Sequence, residues 1–127
     1  MKKKFLMWGS LLGGLGVVLG AFGAHTLESL IDSSALDSFQ TAVRYQLIHA
    51  LLLLFLSQND ILADKLLFRI ITFGIFLFSF SIYLLSLREL LRIEAIKYLG
   101  PITPIGGTLL IIAWGIIFWR SAKSKNL

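Results

Sequence analysis

Tyr45, Gln46 and His49 put a phenol, an amide and an imidazole within about one helical turn, and His25 is the other of the chain's 2 histidines. Groups of this kind could relay a proton or ligate a metal or haem. Arg44 adds a cation beside them, and Tyr83 and Thr103 add hydroxyls further along. A metal centre needs more donors than this. With 2 histidines and 0 cysteines the ligand set is too small, so neither metal nor haem is expected, and no other cofactor. Enzymatic chemistry is also poorly served. No spacing suggests a nucleophile beside its base, or a working pair of carboxylates. For His49 the competing reading is structural: a hydrogen bond between helices, worth about 0.6 kcal/mol in a membrane. That reading is preferred to a titrating role.

The segments that carry these residues are mostly apolar. Of the 127 residues, 57% are hydrophobic and only 15% charged, against about 25% charged in soluble domains. Residues 5–27, 70–87 and 101–119 hold no charge, and 45–58 adds a shorter uncharged run. Apolar stretches of about 18 residues or more are read as membrane spans. The sequence thus predicts an all-α integral membrane bundle of four transmembrane helices in a single domain, 1–127. Its spans fall at about 5–25, 41–58, 66–87 and 102–119. Ser33 or Ser34 could cap a helix leading into the second span, with Asp37 in its first turn. Pro104 suits the first turn of the fourth, where a missing N–H does little harm.

The net charge of +5 does not call for nucleic acid, because the basic residues cluster at span ends as topology requires. Lys2, Lys3, Lys4, Lys65, Arg69, Arg120, Lys123 and Lys125 fall on one side; Arg44, Arg88, Arg92 and Lys97 fall on the other. The bias places both termini in the cytoplasm. Residues 88–92 could form a short helix in the opposite interface. The first apolar stretch has a basic start like a signal peptide, but its length and glycine pattern favour a retained span.

Gly9, Gly13, Gly16, Gly20 and Gly23 recur at spacings of four and three, so they share one face of the first span. Small residues in that arrangement let a second helix approach closely. An intramolecular partner is favoured over a dimer. Gly106 and Gly107, at the start of the fourth span, are assigned to helix packing as well. If the spans alternate in direction, the end of span one, the Tyr45/His49 stripe, Tyr83 and residues 101–107 all lie in the half of the bilayer away from the termini. His25, Arg44, Tyr45, Gln46, His49, Tyr83 and Thr103 then form a candidate polar cluster there.

Four segments occur in order along the chain: GAFGAH at 20–25, F-x-x-A-x-x-Y-Q-x-x-H-A at 39–50, F-S-x-S-x-Y-L-L at 78–85 and T-P-I-G-G at 103–107. Together they resemble domain-of-unknown-function family 423, also called uncharacterised protein family 0382. The resemblance covers nearly the whole chain. It implies a small four-span protein of the bacterial inner membrane and carries no activity with it. Phe80 stands where that family often has glycine, and residues 88–97 make a longer charged insert than is usual.

Two functions compete. One is a structural or accessory subunit packed against a larger membrane complex or another copy of itself, with lipid around it. The alternative is a small transporter or channel using the polar cluster. An enzyme is not expected.

Overall fold

The computed structural model describes residues 1–125. Four long helices carry the fold: α1 (Lys2–His25), α2 (Ser33–Leu56), α3 (Lys65–Ser86) and α4 (Ile102–Lys123). There is no strand among the described residues. All four helices are long and apolar enough to cross a membrane. Both termini lie at one end, because Lys2 pairs with Asp60 at 2.7 Å and Arg120 with Asp64 at 2.7 Å. Asp60 and Asp64 belong to the α2–α3 connection, so that connection shares the terminal end. The α1–α2 and α3–α4 connections make up the opposite, distal end.

Local chemistry sets the helix boundaries. Asp32, rather than either serine after it, caps α2: its carboxylate accepts the Ala35 N–H at 2.7 Å. The helix therefore starts at Ser33, ahead of the apolar run. An aspartate suits this end because it both accepts the orphan N–H and meets the positive end of the helix dipole. Asp64 does the same for α3 through Oδ1, which accepts from the Leu67 N–H at 2.8 Å, while its Oδ2 holds Arg120. Asn59 Oδ1 accepts from the N–H groups of Ile61 and Leu62, closing the turn between them.

α2 is the central helix. Half of its most apolar stretch is buried, against 17% in the fourth span. Its glycine-bearing neighbour α1 lies antiparallel to it. A Cβ placed on Gly9 would meet Leu54, on Gly13 Ala50, on Gly16 Leu47, on Gly20 Val43 and on Gly23 Phe39. All five glycines thus face α2 in one continuous register. Further core contacts stack along the bundle. Near the termini, Phe5, Leu53, Leu56, Leu67 and Ile71 are fully buried. Near the distal end Phe39 and Tyr83 pack with ring centroids 4.8 Å apart.

α3 is interrupted midway by a π-helical turn at Phe76–Phe80. Such a turn adds a residue to the helical cycle and rotates everything after it relative to what came before. The backbone here is also where α4 comes closest. A Cβ on Gly106 would overlap the Phe78 amide nitrogen and lie 2.6 Å from the Leu77 carbonyl carbon. Only glycine fits that approach. The contact does not need a glycine at position 80: Phe80 is half-buried, packed edge-on against Tyr83 at 5.5 Å.

The distal α3–α4 connection forms one helical turn at Arg88–Leu91 and a 3-10 segment at Glu94–Leu99. Leu90, Leu91, Ile93 and Tyr98 are exposed there among charged residues. This composition fits a segment lying along a membrane surface.

Candidate functional site

The polar side chains on α2 point to different neighbours. Gln46 is fully buried. Its Nε2 donates to the Leu12 carbonyl of α1 at 2.8 Å, and its Oε1 accepts from the Tyr83 hydroxyl of α3 at 2.6 Å. One amide therefore joins three helices. The Leu12 carbonyl already serves its own helix, and its second lone pair takes the amide. Gly16 lies beside this contact, since a Cβ there would sit 3.4 Å from Gln46 Nε2. The glycine lets the amide reach the α1 backbone.

His49 is buried one turn further on. Its Nδ1 donates to the Tyr45 carbonyl at 2.7 Å, and its Nε2 accepts from the Trp114 indole N–H of α4 at 3.1 Å. A carbonyl can only accept and an indole N–H can only donate, so the pairing assigns the single ring proton to Nδ1. Both nitrogens are occupied by the protein itself, and neither is free to hold a metal. Among the described residues there is no group of three or more His, Cys, Asp or Glu that could hold one.

Two further ties complete the set. Ser79, fully buried within the π-helical turn, donates to the Ala42 carbonyl of α2 at 2.9 Å. Ser81 shares a hydrogen bond with Thr103 of α4 at 2.6 Å. Each of the other helices is therefore tied to α2 by at least one hydrogen bond through a side chain. In membranes such bonds average about 0.6 kcal/mol each, so their role is to fix register more than to supply bulk stability.

The seven residues of the candidate cluster do not form one site. Gln46 with Tyr83, His49 with Trp114, and Thr103 with Ser81 are three separate pairs. His25 is exposed at the end of α1. Arg44 is also exposed, in line with Ile48, Leu51 and Phe55 on the outer face of α2. In the α1–α2 register it lies about 9 Å below the level of His25, at 1.5 Å per residue. A long side chain can carry the charge back toward the surface. Tyr45 is 44% exposed and packs its ring on Phe78 at 4.9 Å. Depth brings these residues to one level, and facing decides which ones meet.

Of the packing glycines, Gly107 is looser than Gly106, with the Phe78 ring 3.4 Å from a Cβ. Sequence reasoning missed Trp114, Ser79 and Ser81. The two serines stood within the quoted 78–85 segment, and their spacing placed them near Tyr83. Trp114 gave no comparable signal.

A cleft of about 610 Å³ opens at the distal end. It lies between the start of α2 and the start of α4, over the end of α3. Ser34, Ala35, Ile82, Leu85, Ser86 and Pro104 are among its walls, and Asp32, Arg88 and Glu89 supply its charge. None of the three hydrogen-bonded pairs opens fully into it: of their members, Thr103 alone is part of the lining.

The family described as Protein of unknown function (DUF423) matches residues 19–107. The chain is 37% identical to a "UPF0382 membrane protein" of Haemophilus influenzae over 130 residues, covering 100% of both chains. It is 40% identical to "UPF0382 membrane protein YwdK" of Bacillus subtilis over 129 residues, covering 95% of this chain and 98% of the relative. No solved structure matches it. With the match running from the end of α1 through the closest α3–α4 contact, the chain belongs to the DUF423 family, multi-pass membrane proteins whose function is not known.

Proposed function

We propose that the protein is a structural or accessory subunit of a bacterial inner membrane, not an enzyme, and that it packs against another membrane protein. The observation that carries this reading is the engagement of His49 on both ring nitrogens by its own chain. The most chemically capable side chain in the bundle is a tie. Gln46 and Tyr83 are likewise committed to each other and to α1. A relay or transport path needs polar atoms free to exchange partners along a cavity, and these atoms are taken.

The outer faces of the flanking helices support the partner. Gly14 of α1 and Gly115 of α4 have open space where a side chain would stand. Exposed glycines on lipid-facing helices let a further helix approach closely. The excess of basic residues at the terminal end orients both termini to the cytoplasm.

Purification in mild detergent tests the reading. A membrane protein should co-purify in fixed ratio, and Gly14→Leu or Gly115→Leu should release it without changing the melting temperature of the subunit. Proton or solute flux by the purified protein alone in liposomes, lost in His49→Gln, would sink the proposal in favour of transport. Reporter fusions after residues 30 and 94 should read as periplasmic, and one after residue 62 as cytoplasmic.

A further inference from the structure

We infer that the distal cleft is a binding site for the headgroup of a phospholipid that carries both a phosphate and a primary amine, as phosphatidylethanolamine does. The first observation is its position. The α1–α2 register puts Ser38, a lining residue, level with His25, where the first span ends. The cleft therefore straddles the boundary between apolar helix and exposed turn, which is the depth of a headgroup and glycerol. Its volume of about 610 Å³ falls within the range of small-molecule sites.

The second observation is an orphaned hydroxyl. Ser86 lines the cleft, is 8% exposed, and its Oγ has no hydrogen-bond partner among the described residues. Buried hydroxyls are ordinarily satisfied, because leaving one unpaired costs about 1–3 kcal/mol. A serine in a helix can bond back to its own backbone, as Ser81 does one turn and a little earlier. Ser86 does not, and it stands in the cleft wall, unlike Thr72, the other buried hydroxyl without a partner among the described residues; its Oγ is covered in this rotamer, so it meets a headgroup oxygen only by turning toward the cleft.

The third observation is charge. Arg88 is exposed on the rim and forms no ion pair among the described residues. Glu89 and Asp32 line the same cleft, also without a cationic partner. A rim with one guanidinium and two carboxylates does not select a purely anionic headgroup, since the carboxylates would repel it. It complements a zwitterion. The phosphate takes Arg88, and the ammonium donates to Glu89 or Asp32. A quaternary amine has no N–H to donate, so choline headgroups fit less well. Ile82, Leu85 and Pro104 provide the apolar wall for the glycerol end, and the acyl chains remain in the bilayer.

The full chain, reconstituted in nanodiscs of phosphatidylglycerol doped with phosphatidylethanolamine or phosphatidylcholine, tests this by quantifying lipid retained after extraction into mild detergent. Phosphatidylethanolamine should be enriched over both other lipids. Arg88→Gln should lower that enrichment about tenfold, the scale of one charge-assisted hydrogen bond. Ser34→Trp, at an exposed cleft position, should abolish it by filling the space. Lys123→Gln, at the terminal end, should leave it intact. Circular dichroism of the same samples verifies that each variant is folded. Equal retention of all three lipids, preference for phosphatidylglycerol, or unchanged enrichment in Arg88→Gln and Ser34→Trp would each overturn the assignment.

Discussion

The α1–α2 and α3–α4 contacts both depend on glycine, and they use it differently. Along α1, five glycines share a groove, and what meets them is chiefly the side chains of Leu54, Leu47, Val43 and Phe39. At α4 one glycine, Gly106, receives the backbone of the α3 π-helical turn, with atoms of Leu77 and Phe78 inside 3 Å of a hypothetical Cβ. Side chains can change rotamer, whereas a backbone in a packed helix moves only with its whole element. The distributed groove should tolerate single changes that the point contact does not.

Substitutions rank accordingly. Gly106→Ala should have the largest effect, exceeding the ~1–3 kcal/mol usual for an overpacked core, because the added methyl overlaps main-chain atoms. The check is the unfolding midpoint in detergent; a loss no greater than that of Gly16→Ala would break the contrast between groove and point contact. Gly16→Leu comes next, at about 1–3 kcal/mol, since Leu47 must be displaced and Gln46 is separated from the Leu12 carbonyl. Gly14→Leu is its control. Among the described residues, nothing beyond its own stretch of helix lies within 4 Å of a Cβ there, so melting should be unchanged.

The polar ties follow. Gln46→Leu removes two bonds at once and leaves the Tyr83 hydroxyl buried without a partner, for an expected loss of about 1–2 kcal/mol. Tyr83→Phe should recover part of that loss in the double variant, and a double-mutant cycle measures the coupling. Smallest is His49→Gln. The amide oxygen can still accept from Trp114, so the shift should stay near the ~0.6 kcal/mol of one tie, with insertion and complementation preserved. A folded His49→Gln protein without complementing activity, while Gln46→Ala retains it, would turn the tie into a chemical group.

The same contrast explains what the sequence made legible. Five glycines at helical spacing announce a face, and the apolar runs announce four spans, because both signals repeat with the helix period. The α3–α4 contact lacks that regularity. The π-helical turn shifts the phase at Phe76–Phe80, so the residues on either side of it cannot be placed on one face by counting. Gly106 was visible as a packing residue, but its partner was not. Gln46 and His49 were identifiable as buried polar groups by their depth in an apolar helix. Trp114 was not, since 65 residues separate it from His49 and no local pattern fixes the rotation of α4. His25 and Arg44 were grouped with the others by their half of the bilayer, a criterion that carries no information on facing, and both side chains are exposed.

The span between His49 and Trp114 has a consequence for biogenesis. At ribosomal rates of about 5–20 residues per second, the indole is made roughly 3–13 s after the imidazole it will satisfy. The Gln46 amide waits less on both sides: Leu12 precedes it in the chain, and Tyr83 follows after 37 residues. α1 and α2 can therefore close as a hairpin with the amide already held. On insertion in chain order, the Nε2 of His49 has no Trp114 indole to accept from until the last helix arrives. A nascent chain stalled after α3 would carry an open acceptor deep in the lipid, marking it as unfinished to any machinery that binds exposed polar groups within the bilayer.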